Sequence, residues 1–208
     1  HAINSKRGRV GDEIEAIDGR GLLLRCRVDG VGRRGMTLSV VGRDEVAPVH
    51  PRVRLWTATP KGQRLDKMID MLGQVGAASW APLDTKLGVV DPGANKIDRM
   101  QRIAIEAAKQ CGRAHVMEIG AKRDLAEALA IEDGDAAIVV ADASGGSLEA
   151  TGKPTVRLLV GPEGGFLPAE IDAARDAGAQ IVRLGPHAMR IETAAIVGAA
   201  MILEREGG

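Results

Sequence analysis

The chain has 208 residues, 45% of them hydrophobic, and its 28 Lys+Arg balance 28 Asp+Glu. That composition suits one large soluble domain or two small ones, and zero net charge excludes a polycation that coats nucleic acid with its whole surface. Cys26 and Cys111 lie far apart and the four histidines are isolated, which excludes a disulfide framework or zinc knuckle; no metal is expected.

The first sixty residues are the basic part, with eleven Lys+Arg against seven Asp+Glu. They read as β-structure: Glu13–Ile17 alternates polar and apolar, Asp18-Gly19-Arg20-Gly21 signals a turn, and 22–28 and 36–41 are two further short strands. Gly30-Val31-Gly32-Arg33-Arg34-Gly35 matches G-x-G-x-x-G literally. It joins two strands and opens no helix, so it reads as a hairpin loop, and a nicotinamide-dependent oxidoreductase is not expected. Short strands with glycine turns suggest a small barrel, and an arginine excess there suggests a phosphate-facing surface.

The pattern changes around residues 48–51. Strand-like 52–58 leads to a segment with Leu65, Met68, Ile69 and Leu72 at helical spacing, predicting a helix over 61–75. A strand at 77–82, an amphipathic helix at 97–112 and a short helix at 125–130 follow. The apolar runs 136–141 and 155–160 predict strands buried on both faces. Between them, polar and glycine-rich 144–153 predicts a mobile loop. Helix 168–177, strand 180–184 and helix 191–205 complete the chain. Strands alternating with helices imply an α/β domain on a parallel sheet, so the expected division is a β module at 1–50 and an α/β module at 51–208.

The chemistry concentrates near the C-terminus. Leu159-Val160 ends a strand and runs into Gly161-Pro162-Glu163-Gly164-Gly165; Leu184-Gly185-Pro186 ends the next strand; Met189 and Arg190 follow. Ligands of open α/β sheets sit outside the carboxyl ends of the strands, so both loops belong on one edge. Two side-chain-poor loops make a slot lined by backbone. The slot carries no Walker lysine, and Glu163 would repel a triphosphate, so a neutral or cationic adenosine ligand suits it better than ATP. With only Trp56, Trp80 and Phe166 as aromatics, base-stacking platforms are not expected; RNA would be held through phosphates and base edges.

Gly161–Gly165, Glu170-Ile171, Leu184-Gly185-Pro186 and Met189-Arg190-Ile191-Glu192-Thr193-Ala194 together resemble the C-terminal signature of the SPOUT methyltransferases, and within them the ribosomal RNA small subunit methyltransferase E family. Lys61-Gly62, Gly76 followed by Pro82, and Ile103–Arg113 are similar to that family, and Val10-Gly11-Asp12 leading to Asp18-Gly19 resembles its PUA-like module. Two departures stand out. Ser5-Lys6-Arg7 occupies the place of an apolar-apolar-Arg element, and Ile191 replaces a hydroxyl residue.

The resemblance implies a PUA-like barrel that binds RNA, a trefoil knot in the α/β domain, a homodimer, and cytoplasmic location without a membrane partner. It implies S-adenosyl-L-methionine as cofactor and a uridine imide nitrogen of 16S ribosomal RNA in the small ribosomal subunit as target, giving 3-methyluridine. The residues it assigns to the cofactor are Leu159 to Gly165, Leu184, Gly185, Met189, Arg190 and Thr193. Arg7, Arg33, Arg34, Lys61, Gln110 and Arg113 are assigned to RNA, and Arg190, Arg113 and Glu106 to catalysis. Glu106, Gln110 and Arg113 are expected on one helical face. The alternative is a non-catalytic RNA-binding module for ribosome assembly on the same fold.

Overall fold

A computed structural model describes residues 2–3, 9–33, 35–88, 94–131 and 134–206. Its N-terminal part is an antiparallel sheet in the order β1 (Ala2–Ile3), β2 (Glu13–Ile17), β3 (Leu22–Gly32) and β4 (Gly35–Glu45). The G-x-G-x-x-G segment is a hairpin as expected, but β3 and β4 run almost to its tip and pair as far as Gly32↔Gly35. Among the described residues no pairing of β1 with β4 closes the sheet into a ring.

The second sheet is parallel and begins at residue 52. Its strands are β5 (Arg52–Thr57), β6 (Ser79–Asp84), β7 (Glu118–Ile119), β8 (Arg123–Asp124), β9 (Ala136–Gly146), β10 (Thr155–Val160) and β11 (Gln180–Val182). The order is β11-β9-β10-β5-β6-β7, with β8 beside β6. The central strands are in step: Val160 is registered with Thr57 on one side and Ala141 on the other. The carboxyl ends of β5 and β10 therefore finish on one line, and β9 runs on past it to Gly146.

Helices α1 (Gln63–Val75), α2 (Ala94–Cys111), α3 (Leu125–Leu129), α4 (Pro168–Asp176) and α5 (Ile191–Glu206) cover both faces. Alternation along the strands decides which side chain meets which layer. Val53, Leu55, Val156 and Leu158 face one core with Met68, Leu72, Met100 and Ala195. Trp56 and Leu159 face the other, with Ala128, Phe166 and Ile171. Buried on both faces, these strands read as unbroken apolar runs for the reason given for parallel sheets.

Two expectations need correction. Residues 144–146 belong to β9, and the remainder of the predicted mobile loop is held in place. Gln180 accepts a hydrogen bond from Glu149 N at 2.8 Å, and the Glu206 carboxylate receives the N–H groups of Thr151 and Gly152. The partners come from β11 and α5, which local composition does not reveal. Arg113 is not on α2, because that helix stops at Cys111 and Gly112 takes a positive φ of 74°.

The two sheets meet at the turn after β2. Gly21 N donates to Ala114 O, Val116 N donates to Gly19 O, and His115 Nε2 lies 2.8 Å from Val46 O. Ile17 packs with Ala108 and Ala114 beneath this joint.

Candidate functional site

The carboxyl edge of the parallel sheet carries a cavity of about 230 Å³. Three chain segments build it. The first leaves β10, where Gly165 N donates to Pro162 O at 2.8 Å and closes a turn, with Gly165 at a φ of 74°. Gly161 lies under the ring of Phe166, and a Cβ there would stand 2.9 Å from Cε2 of that ring. A side chain at 161 would thus push into the only phenylalanine of the protein. Pro168 then begins α4, and Glu170 accepts the Leu167 N–H at 2.8 Å and the Lys86 N–H at 3.2 Å, fixing where the loop ends.

The second segment, Arg183 to Met189, follows β11 and supplies Leu184 and Gly185. Met189 reaches across Gly185; a Cβ on that glycine would stand 2.8 Å from the Met189 methyl. The third segment is Ala141-Asp142-Ala143 of β9, which the sequence reading did not include. Ala141 of β9 is registered with Val160 at the end of β10, so the first acidic residue after the apolar run was the available signal. Asp142 accepts hydrogen bonds from both N and Oγ of Ser144, at 2.8 and 2.7 Å.

Eight of the residues expected at the cofactor line this cavity: Val160, Gly161, Pro162, Glu163, Gly165, Leu184, Gly185 and Met189. Leu159 does not; its side chain points into the opposite core beside Trp56. Gly164, Arg190 and Thr193 are exposed outside the lining, with Gly164 next to Leu87. The walls are mainly apolar, from Val160, Leu184, Met189 and Ile191, with Asp142 and Glu163 as acids and Arg183 as the base.

Other expected residues lie elsewhere. Arg113 sits at the opposite edge of the sheet, near the amino ends of β5 and β6. Its guanidinium donates to the carbonyls of Gly73, Gly76 and Ala77, so it closes the C-terminus of α1. Burial pulls its pKa below the usual guanidinium value. Glu106 is on the outer face of α2, paired with Lys109 at 2.7 Å, and Gln110 is exposed on the same helix. The structure therefore brings neither Arg113 nor Glu106 to the cavity. Arg33 is exposed at the β3–β4 hairpin, and Arg7 and Arg34 lie outside the described residues.

Lys61 lines a second cavity of about 160 Å³ on the other side of the Pro162–Glu163 turn. Arg64, in the first turn of α1, lies there too, 3.4 Å from a Glu163 oxygen and 3.7 Å from a Glu192 oxygen.

Comparison with known proteins places this geometry among relatives. The model of an RNA methyltransferase domain family matches residues 48–203. A ribosomal RNA small subunit methyltransferase E from Mycobacterium bovis is 33% identical, over 95% of this chain and 80% of that protein. A crystal structure of ribosomal RNA small subunit methyltransferase E from Neisseria gonorrhoeae bound to S-adenosyl methionine superposes with a TM-score of 0.86. It is 25% identical, over 97% of this chain and 86% of that one. A probable rRNA-methyltransferase from Porphyromonas gingivalis superposes with a TM-score of 0.85 at 26% identity, over 97% and 87% of the two chains.

Proposed function

Because the chain belongs to the ribosomal RNA small subunit methyltransferase E family, we propose that it transfers a methyl group from S-adenosyl-L-methionine to the imide nitrogen of a uridine in 16S ribosomal RNA, leaving 3-methyluridine. The observation that carries this is the backbone-lined cavity at the carboxyl edge. Glycines at 161 and 185 keep it free of side chains where Phe166 and Met189 already fill the space.

The donor set fits the cofactor. Apolar walls from Val160, Leu184 and Ile191 suit an adenine ring, and backbone groups of the two glycine loops suit its polar edge. Asp142 offers acceptor oxygens for hydroxyl or ammonium groups. Asp142 and Glu163 face Arg183, and Arg64 pairs with Glu163, so the cavity has no excess of positive charge to hold a polyphosphate. When bound, S-adenosyl-L-methionine supplies a methyl group on an electrophilic sulfonium. The protein's own work is then to align that group with the base, exclude water and move one proton. Alignment contributes about 7–11 kcal/mol in the best intramolecular cases. Arg190, exposed next to Met189, stabilises charge that develops on the uracil oxygens.

The same reading divides the chain near residue 50. The basic antiparallel sheet is a PUA-like barrel module that grips RNA phosphates, with Arg33 on its exposed hairpin. The α/β part carries the chemistry, with a trefoil knot through the two glycine loops, and pairs into a homodimer. The apolar character of α5 supports the pairing: Ile196, Val197, Met201 and Leu203 remain only half-buried in the single chain.

Mapping of 16S ribosomal RNA nucleosides from cells lacking the gene tests the assignment. 3-Methyluridine should disappear and return with the intact protein but not with Arg190→Ala. Unchanged 3-methyluridine in the deletion strain, or failure of the folded protein to bind S-adenosyl-L-methionine in calorimetry, would overturn it.

A further inference from the structure

The second cavity has features that the cofactor site does not account for. It lies between the end of β5, the start of α1 and the Pro162–Glu163 turn, and it shares Pro162, Glu163 and Ile191 with the first cavity. At about 160 Å³ it is smaller than the cofactor cavity and has room for one flat ring. Thr59 lines it, is only 7% exposed, and its hydroxyl has no hydrogen-bond partner among the described residues. A buried hydroxyl without a partner destabilises the fold, and a ligand that bonds to it offsets that loss. Among the described residues no side-chain hydrogen bond caps the N-terminus of α1, and Lys61 and Arg64 at that end line the cavity.

The charges are arranged in a row. Glu192, with a side chain 16% exposed, holds Arg64 from behind, and Arg64 in turn contacts Glu163 in the wall between the cavities. The acceptor edge of uracil reads carbonyl, imide N–H, carbonyl. The cavity lining supplies a matching donor and acceptor, the Thr59 hydroxyl and the Glu163 carboxylate, with Arg64 set against Glu163.

Resting on the methyltransferase reading above, we propose that this cavity seats the target pyrimidine and that Glu163 accepts its imide proton. The N–H bond breaks, the proton joins a Glu163 carboxylate oxygen, and both electrons stay on nitrogen as the nucleophilic pair. Glu163 is then a catalytic residue, whereas Arg64 and Glu192 position it. Cytosine is rejected because its ring nitrogen presents a lone pair to the same carboxylate. A site that leaves a polar partner unpaired discriminates strongly.

The test uses the whole protein and small subunits from cells lacking the gene. Thr59→Val should raise KM for the subunit about tenfold and weaken RNA binding measured without cofactor to a similar degree. Its affinity for S-adenosyl-L-methionine should stay within threefold of wild type. Glu163→Gln should lower kcat by about 10²-fold or more with RNA affinity unchanged. Arg64→Met should follow Glu163→Gln, and Arg64→Lys should recover part of the rate. Wild-type KM and RNA affinity in Thr59→Val together with wild-type kcat in Glu163→Gln would overturn the proposal. So would a rate loss in Glu163→Gln that saturating cofactor fully restores. A wild-type protein that forms no 3-methyluridine overturns the functional reading instead, and the cofactor-free RNA affinity of Thr59→Val still decides the pyrimidine seat.

Discussion

Gly161 marks the point where β10 gives way to the cavity, and its missing Cβ is a packing requirement set by Phe166. A methyl group 2.9 Å from a ring carbon must displace the ring or the loop. Phe166 is nearly buried among Leu159, Ile171 and Ala174, so it has little room to move. Overpacking of this kind costs about 1–3 kcal/mol. Gly161→Ala should therefore weaken S-adenosyl-L-methionine binding by about tenfold or more in calorimetry, with the melting temperature lowered only modestly. Gly185 faces a softer neighbour, the terminal methyl of Met189. A flexible end can swing aside, so alanine is better tolerated there. The difference lies in what stands opposite each glycine, which the two loop sequences do not record.

At the scale of elements, the end of α1 shows how a residue expected at the site serves the scaffold. The last carbonyls of a helix lack intrahelical partners. Gly76 takes a φ of 116° and turns the chain toward β6, and the Arg113 guanidinium collects the carbonyls of Gly73, Gly76 and Ala77. A cation at a helix C-terminus also meets the negative end of the helix dipole. Arg113→Met should lower stability by about 2–4 kcal/mol, since the carbonyls keep their burial and lose a charged donor. A denaturant titration measures that loss. The kcat of the folded variant should remain near wild type, because the cavity is at the other edge of the sheet. In α2, the period of Met100, Ala104, Ala107 and Ala108 is legible, and it fixes which face is buried. Where the helix stops is set by Gly112, two residues before the chain meets the N-terminal sheet.

For the whole molecule, the joint between the sheets rests on the turn from Asp18 to Gly21. The Asp18 carboxylate accepts the N–H groups of Arg20 at 2.7 Å and Leu22 at 3.0 Å. The Arg20 N–H is the main reason its pKa falls below the ordinary aspartate value. A folded-state pKa below the unfolded one adds stability above the unfolded value, about 3.9, and loses it as pH falls through the folded value. Asp18→Asn should thus speed amide exchange in the turn and at residues 114–116 at neutral pH. The difference from wild type should shrink as the solution is acidified below the aspartate range. Hydrogen exchange followed across pH measures it. The bonds from Gly21 to Ala114 and from Val116 to Gly19 carry the turn's geometry into the α/β layer, so the exchange pattern reports on how the N-terminal sheet is seated.

Local chemistry was enough to place the helices and the longer strands, but not β1, β7 and β8, because apolar runs, helical spacing and glycine punctuation act over a few residues and a two-residue strand carries none of them. Strand 155–160 and helix 191–205 were legible almost to the residue for that reason. The shared edge of the two glycine loops was legible because the strands of a parallel sheet end on one side, and both loops line one cavity there. Contacts made across the sheet were not legible. The register that brings Asp142 beside Val160, the carbonyls gathered by Arg113, and Arg64 meeting Glu163 all join residues distant in the chain. Such pairings depend on which strands lie side by side. That order is a property of the packed layers, decided by burying both faces of the sheet at once.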